Sequence, residues 1–202
     1  MKSMTILYTI GDSLYVNLTN RCPCNCTFCV RHEKDSVCEG ENLWLEREPS
    51  AEEVIEEFKK RNLEDYKEVV FCGYGEPLVR IDELIEVSKY IRSVSDIKIR
   101  VNSNGLADLV HGKNTAEMLK GWVDSISISL NAPSKEEYNE ITKSQFGLKA
   151  FDGLLNFAKE AKKNIEDVQF SVVDCITEDQ IERSRKISEE LQIPLRVRKM
   201  IE

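Results

Sequence analysis

The chain has 202 residues, 41% of them hydrophobic and 32% charged, with a formal net charge of −8. This balance excludes a disordered polypeptide, and no apolar run approaches the roughly 18 residues of a membrane span. The negative charge also argues against non-specific nucleic-acid binding, which rests on a cationic surface. The N-terminal residues carry one lysine and no long apolar stretch, so a cytoplasmic protein without a signal peptide is expected.

Residues 6–9 and 14–18 predict two short strands, with turn chemistry at Gly11-Asp12-Ser13 between them. The second strand runs directly into a cysteine-rich segment. Residues 31–48 are charged and irregular, an excursion loop with Trp44 and Leu45 as its anchor. A regular alternation follows. Ser50 with Glu53 forms a capping-box signature that opens a helix to about residue 61. Residues 68–71 form a short apolar strand, and residues 81–94 have apolar positions at helical spacing. A strand at 97–101 and a short helix at 114–121 come next. Residues 124–130, with Ser-Ile-Ser-Ile-Ser-Leu alternation, read as a strand at period two. Ser134 with Glu137 opens a helix to about residue 141, and residues 150–163 are again helical. A strand at 168–173, a helix opened by Thr177 with Gln180 and running to about 191, and a strand at 195–198 complete the chain.

The order is one extra strand, then strand–helix five times, then a sixth strand. Alternation of this kind implies an α/β fold with a parallel sheet and right-handed crossovers. Six units are too few for a closed eight-fold barrel. The expectation is an open partial (β/α)6 barrel with a short extra N-terminal strand, as one domain over 1–202; an open parallel sheet is the alternative. In both, a site belongs at the C-terminal ends of the strands. Those ends carry Asn20-Arg21-Cys22, then Cys72-Gly73-Tyr74-Gly75-Glu76-Pro77, Asn102-Ser103-Asn104-Gly105, Asn131-Ala132-Pro133 and Asp174-Cys175.

Four of seven cysteines, Cys22, Cys24, Cys26 and Cys29, fall within eight residues; Cys38, Cys72 and Cys175 are scattered. A secreted disulfide framework spreads its cysteines, whereas a tight cluster points to metal. Cys22, Cys26 and Cys29 make a C-x3-C-x2-C frame. Three thiolates on one loop reach three corners of a cuboidal iron–sulfur cluster and leave the fourth iron open to a ligand, while four would saturate it. Structural zinc on all four cysteines is the competing reading, although zinc sites usually draw on two separated pairs. Cys24 is then the surplus thiol.

The frame follows the second strand, and Phe28 precedes its last cysteine. In these respects it resembles the signature of the radical SAM superfamily. Gly73-Tyr74-Gly75-Glu76-Pro77 resembles that superfamily's Gly-Gly-Glu-Pro segment, with Tyr74 in place of one glycine. Asn102-Ser103-Asn104-Gly105 resembles its Thr-Asn-Gly segment, and the Ser-Leu-Asn-Ala run at 129–132 its Ser-Leu-Asp-Ala. The resemblance implies a 4Fe–4S cluster on Cys22, Cys26 and Cys29, with S-adenosylmethionine at the open iron. Gly73, Tyr74, Gly75 and Glu76 would hold the cofactor's ammonium. Asn102, Ser103, Ser127, Ser129 and Asn131 would contact ribose or carboxylate, and Phe28 would pack near adenine or fill core. The superfamily's Gly-x-Ile-x-Gly-x-x-Glu element has no counterpart in 168–174, so no adenine contact is assigned there.

Short strings such as Tyr-Val-Asn-Leu-Thr-Asn-Arg-Cys and Asn-Leu-Trp-Leu-Glu are similar to the group associated with TatD-type nucleases, which implies a functional link to such a nuclease. The activity implied is reductive cleavage of S-adenosylmethionine to a 5′-deoxyadenosyl radical, fed by reduced ferredoxin or flavodoxin. The radical would take hydrogen from an unidentified small-molecule or protein substrate. The alternatives are an activase that installs a glycyl radical on a partner, and a non-catalytic iron–sulfur or zinc protein. Asp174 ends the fifth strand of the alternation and reads as a solvated turn or a substrate-facing group. The run Arg196-Val197-Arg198-Lys199 is either solvated or meets an anionic substrate. His32 and His111 read as surface residues.

Overall fold

The computed structural model describes residues 3–32 and 42–200. Cys38 and half of the predicted excursion loop lie outside the described residues. One seven-stranded sheet runs in chain order: β1 (Leu7–Ile10), β2 (Ser13–Val16), β3 (Glu68–Phe71), β4 (Lys98–Ser103), β5 (Ser125–Ser129), β6 (Asp167–Val173) and β7 (Leu195–Arg198). β1 and β2 are antiparallel, joined by the turn at Gly11 with φ +59°. Every later pairing, β2·β3 through β6·β7, is parallel. All seven predicted strands are present; 68–71 and 195–198 match at both ends, and the others are displaced by at most two residues.

Strands that follow one another in both sequence and space, joined by crossovers of one hand, place every crossover helix on the same face. The side-chain alternation agrees. Leu14, Val16, Val69, Phe71, Ile99, Val101, Ile126, Ile128, Phe170 and Val172 are wholly buried in one apolar core. Their covers are α1 (Ala51–Phe58), α2 (Ile81–Val94), α3 (Ala107–His111), α4 (Thr115–Met118), α5 (Lys135–Thr142), α6 (Lys149–Asn164) and α7 (Glu178–Leu191). The opposite parity supplies Arg100 and Asn102, Ser127 and Ser129, Ser171, then Arg196 and Arg198. Parallel sheets usually carry apolar residues on both faces. A serine- and arginine-bearing face has no such partner, and here it borders a cavity.

Two predicted capping boxes are complete. Ser50 Oγ accepts from Glu53 N at 3.2 Å while Ser50 N donates to Glu53 at 2.9 Å. Thr177 and Gln180 make the same reciprocal pair at 3.2 and 2.8 Å. The third is half-formed. Ser134 accepts from Glu137 N at 3.3 Å, but the Glu137 carboxylate takes the Ser134 hydroxyl at 2.6 Å and the Arg183 guanidinium at 2.6 and 2.9 Å. A charge-assisted fork outcompetes a backbone N–H, and it ties α5 to α7. The Arg183 bonds hold the Glu137 carboxyl down at about 2.

Three expectations are corrected. α1 ends at Phe58 rather than near 61. α3 was not foreseen, because five residues are too short for a periodicity. His111 is not a free surface group: its ring nitrogen lies 2.8 Å from the Leu78 carbonyl, which pins α3 to the turn after β3. Among the described residues no helix is long and apolar enough to cross a membrane.

Candidate functional site

The strand ends surround a cavity of about 260 Å³. Cys22, Cys26, Phe28 and Cys29 line it from the loop after β2, and Gly73, Tyr74, Gly75 and Glu76 from the turn after β3. Asn102 and Ser103 reach it from β4, Ser127 and Ser129 from β5, and Asn131 from the turn beyond β5. Every residue expected from the sequence to hold metal or cofactor therefore borders one space, whereas Asp174, read as a solvated turn or a substrate-facing group, is not among its lining residues. Cys24, Cys72, Arg100, Asn104, Ser171, Arg196, Arg198 and Lys199 border it as well. Sequence reasoning did not assign the first five of these to the site, although the strand parity and the strand-end segments contained the signal; Arg196, Arg198 and Lys199 belong to the run read as either solvated or meeting an anionic substrate.

The cysteine loop has no regular structure of its own and is held from outside. Asn25 N donates to Thr142 O at 2.9 Å, Thr27 N to Ile141 O at 2.8 Å, and Gln145 N to Pro23 O at 2.9 Å. These three bonds hang the loop on the C-terminal end of α5. The Arg31 guanidinium draws in the other side, donating to the carbonyls of Cys24 at 3.1 Å, Tyr74 at 3.4 Å and Asn20 at 3.5 Å. The chain returning from the excursion is fixed equally firmly. The Asn20 amide pairs with both backbone groups of Leu45 at 2.8 and 3.1 Å, and Arg21 forks onto Glu48 at 2.6 and 2.9 Å. Leu43 and Leu45 are the buried anchors; Trp44 instead packs edge-on against Tyr74 at 5.2 Å.

The glycines have a reason that the sequence did not show. A Cβ on Gly75 would fall inside contact distance of the Thr19 carbonyl and 2.6 Å from the Arg21 carbonyl. A Cβ on Gly73 would overlap the Asn17 side chain, whose amide is already bonded to Leu43 O at 2.8 Å. Both positions are glycine because the turn after β3 lies against the chain leaving β2.

Glu76 is buried and fully engaged. Its carboxylate accepts from Ser103 Oγ at 2.8 Å, Asn104 N at 2.7 Å and Leu78 N at 3.2 Å, while its own N–H donates to Arg21 O at 2.8 Å. Burial pushes the carboxyl up to about 7 despite those donors. One side chain thus joins the ends of β3 and β4, and its backbone reaches the end of β2. Ser103, expected at ribose or carboxylate, has its hydroxyl committed to Glu76 and accepts from Gly105 N at 3.0 Å.

The thiols form a tight electrostatic group. A hydrogen bond with Cys24, burial and the nearby Glu76 charge raise the Cys22 thiol well above its usual range. The Cys22 bond pulls Cys24 down, but the Cys26 bond and burial outweigh it and push Cys24 up to about 12. Burial raises Cys29. Asn104 directs its amide at Cys22 Sγ (3.7 Å) and Cys24 Sγ (3.9 Å), its oxygen being taken by Leu106 N at 3.0 Å. Among the described residues, no three His, Cys, Asp or Glu side chains converge on a single metal ion. The thiols border a space for a larger group instead.

The family model described as the Radical SAM superfamily matches residues 16–186. The chain belongs to the radical SAM superfamily. Members of this superfamily bind a 4Fe–4S cluster and S-adenosylmethionine. The chain is similar to the GTP 3′,8-cyclase of Clostridium perfringens (strain SM101 / Type A), 25% identical over 133 residues, covering 65% of this chain and 38% of that protein. It is also similar to the probable GTP 3′,8-cyclase of Methanocaldococcus jannaschii, 32% identical over 134 residues, 65% of this chain and 40% of that one. The chain spans about two fifths of the length of these curated relatives. Among solved structures, native anSMEcpe with bound AdoMet and Cp18Cys peptide superposes with a TM-score of 0.68 at 20% identity, over 92% of this chain and 50% of that one. The FeFe-hydrogenase maturase HydG of Carboxydothermus hydrogenoformans superposes with a TM-score of 0.66 at 21% identity, over 93% and 44%. These likenesses establish the α/β fold with a mostly parallel sheet.

The residues present fit the superfamily's cofactors on one further count. Asn131, held at φ +60°, lines the cavity and its Oδ1 lacks a partner among the described residues. A buried polar atom left unpaired costs about 1–3 kcal/mol, and a group in the cavity would relieve that cost.

Proposed function

We propose that this chain is a radical SAM catalytic core, a single domain over 1–202, in which Cys22, Cys26 and Cys29 hold the cluster. One observation carries the proposal: three thiols in C-x3-C-x2-C spacing share a cavity with the Gly73–Gly75 turn and the polar ends of β4 and β5. When bound and reduced, the cluster supplies the electron that cleaves S-adenosylmethionine and yields a 5′-deoxyadenosyl radical. The residues of the chain bind, orient and exclude water. The backbone carbonyl at Gly73 suits a cationic ammonium, while that of Tyr74 already accepts from Arg31. Asn102, Ser127, Ser129 and Asn131 offer amides and hydroxyls for a ribose or a carboxylate. Phe28 offers an aromatic face to adenine. Glu76 and Ser103 act one step back, by fixing the ends of β3 and β4.

The finer architectural reading is an open partial barrel. Strands lie about 4.8 Å apart, so β2 and β7 of a flat sheet would be separated by roughly 24 Å. Residues beyond β2 and on β7 nonetheless line one cavity of about 260 Å³, which supports a curled sheet. A reduced ferredoxin or flavodoxin is the proposed electron donor, because superfamily members need a reductant. The cytoplasm is the proposed location. The short-string likeness to the group associated with TatD-type nucleases supports a functional link with such a nuclease.

The test is anaerobic reconstitution with iron and sulfide, then dithionite and S-adenosylmethionine. Four irons per chain and 5′-deoxyadenosine are expected. Zinc in place of iron, or loaded protein that makes no 5′-deoxyadenosine, overturns the proposal.

A further inference from the structure

β7 brings a cationic group to the cavity that the cofactors leave unexplained. Strand parity puts Arg196 and Arg198 on the polar face, opposite Ser171 and Val173 of β6, and Lys199 follows; all three line the cavity. Arg198 Nε is buried and has no acceptor among the described residues. Neither Arg196, Arg198 nor Lys199 makes an ion pair among the described residues.

The carboxylates on that side are committed elsewhere. Glu68 is forked by Arg100 at 2.7 and 3.0 Å and accepts from Ser13 at 3.1 Å. Glu76 accepts its three donors. Asp174 accepts from Met200 N at 2.7 Å, so it anchors the end of β7 instead of facing Arg198. The other groups whose charges reach Arg198 are Cys72, Arg196, Arg100 and Tyr15; burial lowers the Arg198 pKa, and the two arginines lower it further.

A guanidinium largely withdrawn from water without a counter-charge is costly, and its planar fork matches phosphate and carboxylate. Three neighbouring cations on one edge favour the more highly charged phosphate. On a chain of net charge −8 this local reversal of sign is not a general surface property.

We propose that the substrate is a phosphate-bearing small molecule whose phosphate is held by Arg198, with Arg196 and Lys199 beside it, at the β7 edge of the cavity. Its identification as substrate rests on the radical SAM reading; the anion site itself does not. The rest of the molecule then extends from β7 toward the cysteine loop, where hydrogen abstraction would take place.

Reconstituted protein, with and without S-adenosylmethionine, is titrated with inorganic phosphate and separately with acetate, by calorimetry. Saturable phosphate binding is expected, stronger than acetate binding and weakened at least about tenfold by Arg198→Gln, as for the loss of a charge-assisted pair. Iron content and S-adenosylmethionine affinity of that variant are expected to match wild type. Acetate binding equal to or tighter than phosphate overturns the phosphate assignment. Absence of saturable binding, or an unchanged affinity in Arg198→Gln, overturns the site. A parallel loss of S-adenosylmethionine affinity also overturns it, because Arg198 would then serve the cofactor. If Arg198→Gln does not fold, the Arg196→Gln, Lys199→Gln double variant replaces it, and unchanged phosphate affinity there overturns the proposal. Phosphate binding in a protein that takes up no iron would leave the anion site standing and remove the radical SAM reading.

Discussion

The Glu76 carboxylate accepts the Ser103 hydroxyl at 2.8 Å, in a position where neither side chain is more than a few per cent exposed. This bond, with those to Asn104 N and Leu78 N, makes Glu76 the clamp between the ends of β3 and β4.

A pH dependence follows. The folded state holds the Glu76 carboxyl at about 7, above its ordinary 4.5. The folded protein therefore binds more protons than the unfolded chain between those values, and stability falls as pH rises through that window. The contribution is fully present below pH 4.5 and lost above about 7, amounting to about 3 kcal/mol. Urea unfolding at pH 5 and pH 8 is expected to show this loss in wild type and not in Glu76→Gln. Equal losses in both proteins would place the titration elsewhere.

Gly75→Ala is expected to destabilise the protein by about 1–3 kcal/mol, the usual cost of overpacking, because its Cβ meets the backbone carbonyls of Thr19 and Arg21. Neither carbonyl is the end of a flexible side chain. Gly112→Ala is the contrasting variant: its Cβ meets no atom within 4 Å, and its φ of +64° makes it pay backbone strain only. Urea midpoints compare the two directly, and only Gly75→Ala is expected to lose iron on reconstitution. Retained iron at Gly75→Ala would show that the turn after β3 does not set the cysteine loop.

The four clustered cysteines divide by role. Cys22→Ala, Cys26→Ala and Cys29→Ala are each expected to abolish cluster assembly, read as iron per chain and visible absorbance. Cys24, 4% exposed and packed into the main core, is expected to tolerate alanine with near wild-type iron. Loss of the cluster in Cys24→Ala and its retention in one of the other three would reassign the ligand set.

Asn104 offers a spectroscopic test. Its amide approaches Cys22 Sγ at 3.7 Å, and a donor aimed at a cluster sulfur stabilises the more negative, reduced state. Removing it by Asn104→Ala is expected to lower the midpoint potential by about 40 mV, a one-electron equivalent of about 1 kcal/mol. An EPR-monitored redox titration reads the shift without turnover. A potential that stays put or rises would show that the amide does not reach the cluster.

The sequence alone determined the order of the elements, the parity of each strand and the spacing of Cys22, Cys26 and Cys29. These properties are local: period-two alternation, Ser50 and Thr177 caps and thiol spacing are written within a few residues of one another. From parity and sequential order it also followed that the strand ends would gather Gly73–Glu76, Asn102 and Ser129 on one rim. Tertiary structure decided which partner each group took. Glu137 left its cap for Arg183 on α7, Ser103 turned to Glu76, and Arg31 closed onto carbonyls of its own loop and of the turn after β3. Gly73 and Gly75 were glycine for contacts with β2's exit, some 55 residues away in the chain. Such choices are competitions among donors and acceptors that meet only when the sheet has formed, so no local pattern encodes them. The cysteine frame was legible as spacing; the unpaired Arg198 beside the same cavity became visible only when its neighbours proved to be committed elsewhere.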